Sequence, residues 1–262
     1  MFITKDMLGR ELLFDRVPKR IISVVPSQTE LLYDLGLEDE VIAITKFCIH
    51  PENWFRTKER IGGTKNLDLD RIRELKPDLI IANKEENSKA DIEELSDEFP
   101  VWVSDIYNLD DAQQMIQQLG NLLGKDHMAQ AIARMIEKGF SSIKSLHKKQ
   151  RALYLIWQNP WMSVNRDTFI HDMIQRLGLE NVTSEFGSRY PQLSAEEIKI
   201  LNPQLVLLSS EPYPFKEKHI SQLQALLPNS RIGLVDGEAF SWYGSRLVQS
   251  PPYFIELLKK WN

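Results

Sequence analysis

Apolar residues in this chain come in short uninterrupted bursts rather than in strict alternation. That pattern marks strands buried on both faces, as in a parallel sheet. Arg20-Ile-Ile-Ser-Val-Val25 is the first burst, continuous and rich in β-branched residues, and Pro26 ends it. Val41 to Thr45, Asp78-Leu-Ile-Ile-Ala82, Val101-Trp-Val103 and Ala152-Leu-Tyr-Leu-Ile156 read the same way. Helical patterns cover 88–98 and 110–123. Ser27-Gln-Thr-Glu30 fits a capping box and predicts a helix running to Leu35-Gly36. Ahead of these, Asp6 to Phe14 holds Gly9-Arg10 between short apolar patches and predicts a hairpin or extended arm. Strand alternating with helix predicts an α/β fold, its mostly parallel sheets covered on both faces.

From Asp126 to Lys149 there is no proline and one glycine, Gly139, so a single helix is expected there. At 1.5 Å per residue it would span roughly 35 Å, long enough to act as a strut. The expected organisation is an N-terminal α/β lobe over 1–124, a connecting backbone helix over 125–150 and a C-terminal α/β lobe over 151–262. An internal repeat supports it. Residues 66–85 lie over 192–211 at a constant offset of 126, from Pro77 to Pro203 and from Glu85 to Glu211. Leu67, Ile72, Leu75 and Leu79 recur as Leu193, Ile198, Leu201 and Leu205, while Asp70 pairs with Glu196 and Arg73 with Lys199. Leu35-Gly-Leu-Glu38 is echoed by Leu177-Gly-Leu-Glu180. The fold expected is two Rossmann-like lobes joined by one long helix, and ligands of such sheets bind beyond the carboxyl ends of the strands. The ligand cleft is accordingly expected between the lobes.

Composition narrows the function classes. Across 262 residues, 42% are hydrophobic and 26% charged, with a formal net charge of −5. Nothing in that balance draws the chain to nucleic acid or to an anionic membrane. No apolar run is long enough for a transmembrane helix, so membrane insertion is not expected. The single cysteine, Cys48, excludes an intrachain disulfide. Met1 to Phe14 alternates too quickly for a secretory leader, which leaves a cytoplasmic location open unless a leader has been removed. No phosphate-binding glycine loop, nucleophile elbow or H-E-x-x-H helix occurs, so no catalytic residue is assigned and an enzyme is not expected.

The chemistry that is present gathers at predicted strand ends. Phe47, Lys65, Lys84 and Glu85 belong to the first half, and Trp157, Tyr190, Glu211, Tyr213, Trp242, Tyr243 and Arg246 to the second. Aromatics at loop tips suit a ligand platform, with Lys65, Lys84 and Arg246 supplying positive charge around it. Such a mixture fits a large planar or anionic chelate better than a naked cation. Cys48 and His50 would share a face of an extended segment and, with Glu85 or Glu211, could ligate a soft or borderline metal; a thiol packed as a small hydrophobe is the other reading of Cys48. His127, His147 and His171 are expected to face solvent; His219 either joins the 211–215 strand-end segment or lies on an exposed helix face.

Arg20-Ile-Ile-Ser-Val-Val-Pro-Ser-Gln-Thr-Glu-Leu-Leu32, Leu75-Lys-Pro-Asp-Leu-Ile-Ile81 and the long helix resemble the helical-backbone substrate-binding proteins of ABC importers. The resemblance covers about 18–260. It is nearest the cobalamin-binding branch, through Ser27-Gln-Thr-Glu30 and Arg189-Tyr-Pro-Gln-Leu193. It implies a monomer that binds cobalamin, haem or a ferric chelate non-covalently and delivers it to an ABC permease. Asp70 and Glu196 would meet permease arginines. A periplasmic or otherwise extracytoplasmic location is also implied. A cytoplasmic carrier or sensor without a permease, and more distantly an enzyme acting on a chelate, are the rival readings.

Overall fold

The computed structural model describes residues 1–144 and 149–261. Its contacts divide the chain into two compact units. The first holds 1–106, 110–136 and 243–246; the second holds 107–109, 137–242 and 247–262.

The first unit opens with an antiparallel hairpin, β1 (Phe2–Lys5) and β2 (Glu11–Phe14), in which Phe2 faces Phe14. Asp6 makes the turn by accepting from the backbone N–H of Leu8 and Arg10. Then come β3 (Ile21–Ser23), α1 (Pro26–Asp34), β4 (Val41–Ile44), α2 (Glu52–Thr57), β5 (Glu59–Arg60), β6 (Gly62–Gly63), β7 (Asn66–Leu67), α3 (Leu69–Leu75), β8 (Leu79–Asn83), α4 (Lys89–Ser96), β9 (Val101–Ser104) and α5 (Leu109–Leu122). A parallel sheet orders the strands β5-β4-β3-β8-β9. Every residue of β3, β8 and β9 is buried, which is why their sequences run apolar without alternation.

The second unit follows α6 (Asp126–Ser141) with β10 (Gln150–Leu155), β11 (Trp161–Met162), α7 (Phe169–Arg176), β12 (Leu179–Asn181), β13 (Gln192–Leu193), α8 (Ala195–Leu201), β14 (Leu205–Ser209), α9 (Glu217–Leu226), β15 (Arg231–Val235), α10 (Gly237–Ser241) and α11 (Ser250–Trp261). Its parallel sheet runs β12-β10-β14-β15. Leu153, Leu155, Val206 and Leu208 from the two central strands pack against Ile198 and Leu223 from the helices.

The repeat is structural, element for element. β7, α3 and β8 recur 126 residues later as β13, α8 and β14. Asp68 and Ser194 cap the paired helices by accepting from the backbone N–H three residues on. Lys76 and Asn202 end them in the left-handed conformation, at φ 49° and 41°. The prolines that follow cannot continue a helix. Leu35-Gly36 and Leu177-Gly178 close α1 and α7 alike, with the glycines at φ 73° and 74°. Gly62 has a different reason to be glycine: at φ 86°, a Cβ there would stand 2.4 Å from the carbonyl oxygen of Asn66.

Two local expectations are corrected. Ser27 to Glu30 is no capping box; Pro26 occupies the first turn of α1, where its missing N–H costs nothing, and all four residues lie buried inside the helix. The helix expected to reach 149 ends at Ser141, its last turn closed by Ser142, whose hydroxyl donates to the Gly139 carbonyl at 2.6 Å. Gly139 is there for packing, since a Cβ would meet Pro251 of α11 at 2.8 Å. Residues 145–148 of that expected helix lie outside the described residues.

Candidate functional site

Parallel strands end on one edge of their sheet, so each unit gathers the loops that follow its strands. In the first unit the loop after β8 is built on two buried asparagines. Asn83 accepts from the backbone N–H of Glu85 and Glu86 through its side-chain oxygen, and its amide donates to Ser104. Asn87 accepts from the N–H of Asn83 at 2.8 Å and donates to the carbonyls of Val24 and Thr64. Lys65 donates to the carbonyls of Glu85 and Asn87, while Lys84 pairs with Asp105 at 2.6 Å. Both lysines thus help hold the loop that carries Glu85. Phe47, after β4, is 51% exposed and lies against Gly63, with the Lys46 ammonium 5.2 Å from its ring.

Arg246 also belongs to this unit, and its charge is engaged. The guanidinium grips Glu30 of α1 through two contacts of 2.9 Å. Burial raises the Glu30 pKa and Arg246 opposes that rise. Gly244, at φ 128°, lets the same segment lie against α1, where a Cβ would come within 2.9 Å of the Ser27 carbonyl oxygen. Tyr243 is buried in that segment. Cys48 is fully buried, its sulfur 3.1 Å from the Thr29 hydroxyl and 3.2 Å from that of Thr45. Burial pushes its thiol pKa up. It therefore sits as a small core residue. His50 is half-buried beside it, and among the described residues no three His, Cys, Asp or Glu side chains are grouped to hold a metal.

In the second unit Trp157 follows β10 and remains 39% exposed. Its ring meets Tyr213 edge-on at 5.4 Å, Tyr213 meets Phe215 at 4.8 Å, and Phe215 stacks on Trp161. Glu211 lies behind, one carboxylate oxygen accepting from the Ser241 hydroxyl at 2.6 Å and the Trp242 indole at 2.9 Å. Burial raises the Glu211 pKa. Gly237 makes room for it, since a Cβ there would stand 2.6 Å from the Glu211 side chain. Trp242 is only 7% exposed, so its indole braces Glu211 more than it offers a flat surface. Tyr190 is half-buried in the turn before β13.

Of the histidines expected to face solvent, one is buried instead. His171 is buried beside the Asn181 amide at 3.2 Å, and burial lowers its pKa. Of the two readings of His219, the structure takes the one with the 211–215 segment: the ring is buried in contact with Tyr213 and Phe215. His127 is exposed as expected, and His147 lies outside the described residues. The role of Asn83 and Asn87 as buried braces of the loop was not anticipated, although polar residues ending an apolar run are a signal that they are paired.

Asp70 and Glu196 fall at the same place in the repeat, in the first turns of α3 and α8. Their side chains are 92% and 76% exposed, each beside a base three residues on: Arg73 at 3.1 Å and Lys199 at 2.9 Å. Among the described residues no helix is long and apolar enough to cross a membrane.

Two parallel-sheet units with loops of this kind are the fold of a solute-binding protein, and the chain belongs to the periplasmic binding protein family, whose profile matches residues 21–226. It is similar to the vitamin B12-binding protein of Pectobacterium carotovorum subsp. carotovorum (strain PC1), at 26% identity over 202 residues, covering 75% of this chain and 73% of that protein. In fold it resembles the periplasmic vitamin B12-binding protein BtuF of Vibrio cholerae, with a TM-score of 0.76, 21% identity, and coverage of 93% of this chain and 98% of that one. The periplasmic haem-binding protein HutB of Vibrio cholerae is matched at a TM-score of 0.77 and 22% identity, over 91% of this chain and 98% of that one.

Proposed function

We propose that this chain is the solute-binding component of an ABC-type importer, that it works outside the cytoplasm, and that its ligand is a corrinoid or a related metal chelate. The family membership supports solute binding, and the named relatives bind vitamin B12 or haem. One observation carries the ligand class: the exposed Trp157 ring, backed by Tyr213, offers flat apolar surface where strand-end loops gather. Naked metal ions want converging carboxylates and imidazoles, and Cys48 is committed to the core. Chelate binding is non-covalent, and the chain carries out no chemistry on it.

Calorimetry with cyanocobalamin, haemin and a ferric hydroxamate tests the assignment, together with absorption spectra of protein purified from its native host. Trp157→Ala should weaken binding of the preferred chelate by about 1–3 kcal/mol, the scale for burying one large side chain. Cys48→Ala should leave it unchanged. Binding abolished by Cys48→Ala and indifferent to Trp157→Ala would show a direct metal centre instead.

A further inference from the structure

A directed chain of hydrogen bonds runs behind the Trp157 wall. It begins at the backbone N–H of Lys216, which donates to His219 Nδ1 at 2.8 Å. A backbone N–H is only ever a donor, so Nδ1 must be unprotonated and the neutral ring carries its hydrogen on Nε2. Nε2 stands 3.3 Å from the Tyr213 hydroxyl oxygen. Tyr213 passes its own single hydrogen to Gln158 Oε1 at 3.1 Å, and Gln158 Nε2 donates to Gln222 Oε1 at 2.8 Å. With Nε2 donating to the Tyr213 oxygen, the phenol hydrogen is available to Gln158 Oε1, so the chain as placed runs in one sense from Lys216 to Gln222. His219 is 2% exposed, and burial, with Lys218 behind it, keeps its pKa below the ordinary imidazole value.

The chain joins three pieces that sequence alone does not connect. These are the first turn of α9, the 211–215 loop and the tip of the turn between β10 and β11. The backbone anchors that turn at its base, where Ile156 donates to Met162 and Met162 to Trp157. Its tip is held by Gln158, the neighbour of Trp157.

We infer that His219 is a positioning residue for the ligand wall: its Nε2–H tautomer orients the Tyr213 phenol and, through Gln158, holds the Trp157 ring at the loop tip. This rests on the binding role assigned to Trp157 above, but the placement of the ring is measurable without any ligand. His219 itself makes no ligand contact in this scheme.

Two readouts test it. Nitrogen-15 shifts of the histidine rings in the intact protein should identify His219 as the Nε2–H tautomer; an Nδ1–H signature overturns the inference. For the second, the protein is labelled with 5-fluorotryptophan and the Trp157 resonance is assigned among the six tryptophans by its loss in Trp157→Phe. His219→Gln keeps a side-chain N–H able to reach Tyr213, whereas His219→Asn keeps an acceptor for Lys216 but is too short for its amide N–H to reach Tyr213. The Trp157 fluorine resonance should shift or broaden in His219→Asn and be largely restored in His219→Gln. Affinity for the preferred chelate should fall about threefold to tenfold in His219→Asn, the equivalent of one ordinary hydrogen bond, and stay within about twofold in His219→Gln. Identical behaviour of the two variants sinks the positioning role. If the wild-type protein binds none of the three chelates, the proposed ligand class fails, and the tautomer and fluorine signals still decide whether His219 positions Trp157.

Discussion

Glu211 and Arg246 show how a buried charge takes its role from what lies beside it. Arg246 read as a ligand-facing cation, yet its guanidinium is engaged by Glu30. Replacing one member of such a pair strands the other in a poorly solvated place, so Arg246→Ala should cost about 3 kcal/mol in urea unfolding. A loss below about 1 kcal/mol, the level of an exposed pair, would contradict the burial argument. Glu211 has the opposite problem: the donors to its carboxylate, the Ser241 hydroxyl and the Trp242 indole, are both neutral. Its raised pKa means the folded protein keeps the proton to higher pH than the unfolded chain does. That contribution is full below the unfolded pKa and is lost as pH rises through the folded one. Glu211→Gln retains an acceptor for Ser241 and Trp242 and has no proton to lose. Its stability relative to wild type should therefore improve as pH rises above the ordinary glutamate range, and a flat or falling difference in paired unfolding curves refutes the assignment.

At the scale of elements, one design is used twice: a capped helix, a left-handed terminus, a proline and a buried strand. The helix caps belong to the two copies equally, so Ser194→Ala should destabilise the protein by about 1 kcal/mol through loss of the acceptor for the Glu197 N–H. Chemical denaturation at neutral pH measures it. What distinguishes the copies is the polar filling of the following loop. Asn87 satisfies the Asn83 N–H and two carbonyls, so Asn87→Ala leaves several buried backbone groups without their partner. A cost of about 2–3 kcal/mol is expected, well above that of the cap. The order of the two losses is the test. These elements were legible because each has a local cause: β-branched runs, turn prolines and cap residues act over a few positions. The reason for glycine at 139 was not, because it answers to Pro251, more than a hundred residues away in sequence.

For the molecule as a whole, Asp70 and Glu196 are exposed at equivalent places in the repeat, and on the proposed importer role they are the carboxylates that would meet a permease. Charges on an outer surface act on docking and association, not on a ligand held elsewhere. The double variant Asp70→Lys with Glu196→Lys should leave chelate affinity unchanged and abolish uptake in a reconstituted importer. Uptake at the wild-type rate would remove the permease assignment while leaving solute binding intact. The pairing of these two residues was already visible in the repeat, as were both sheets, since hydrophobic period and spacing are properties of the chain alone; the solute-binding family was legible only as a resemblance of the motifs at 20–32 and 75–81. Which strand-end residues remain wet was decided only by tertiary structure. Trp157 stays open while Trp242 braces Glu211, His219 is buried against two aromatic rings, and Arg246 answers Glu30 from 216 residues away. Burial and partnership depend on segments brought together by folding, and no local pattern encodes which distant side chain will arrive.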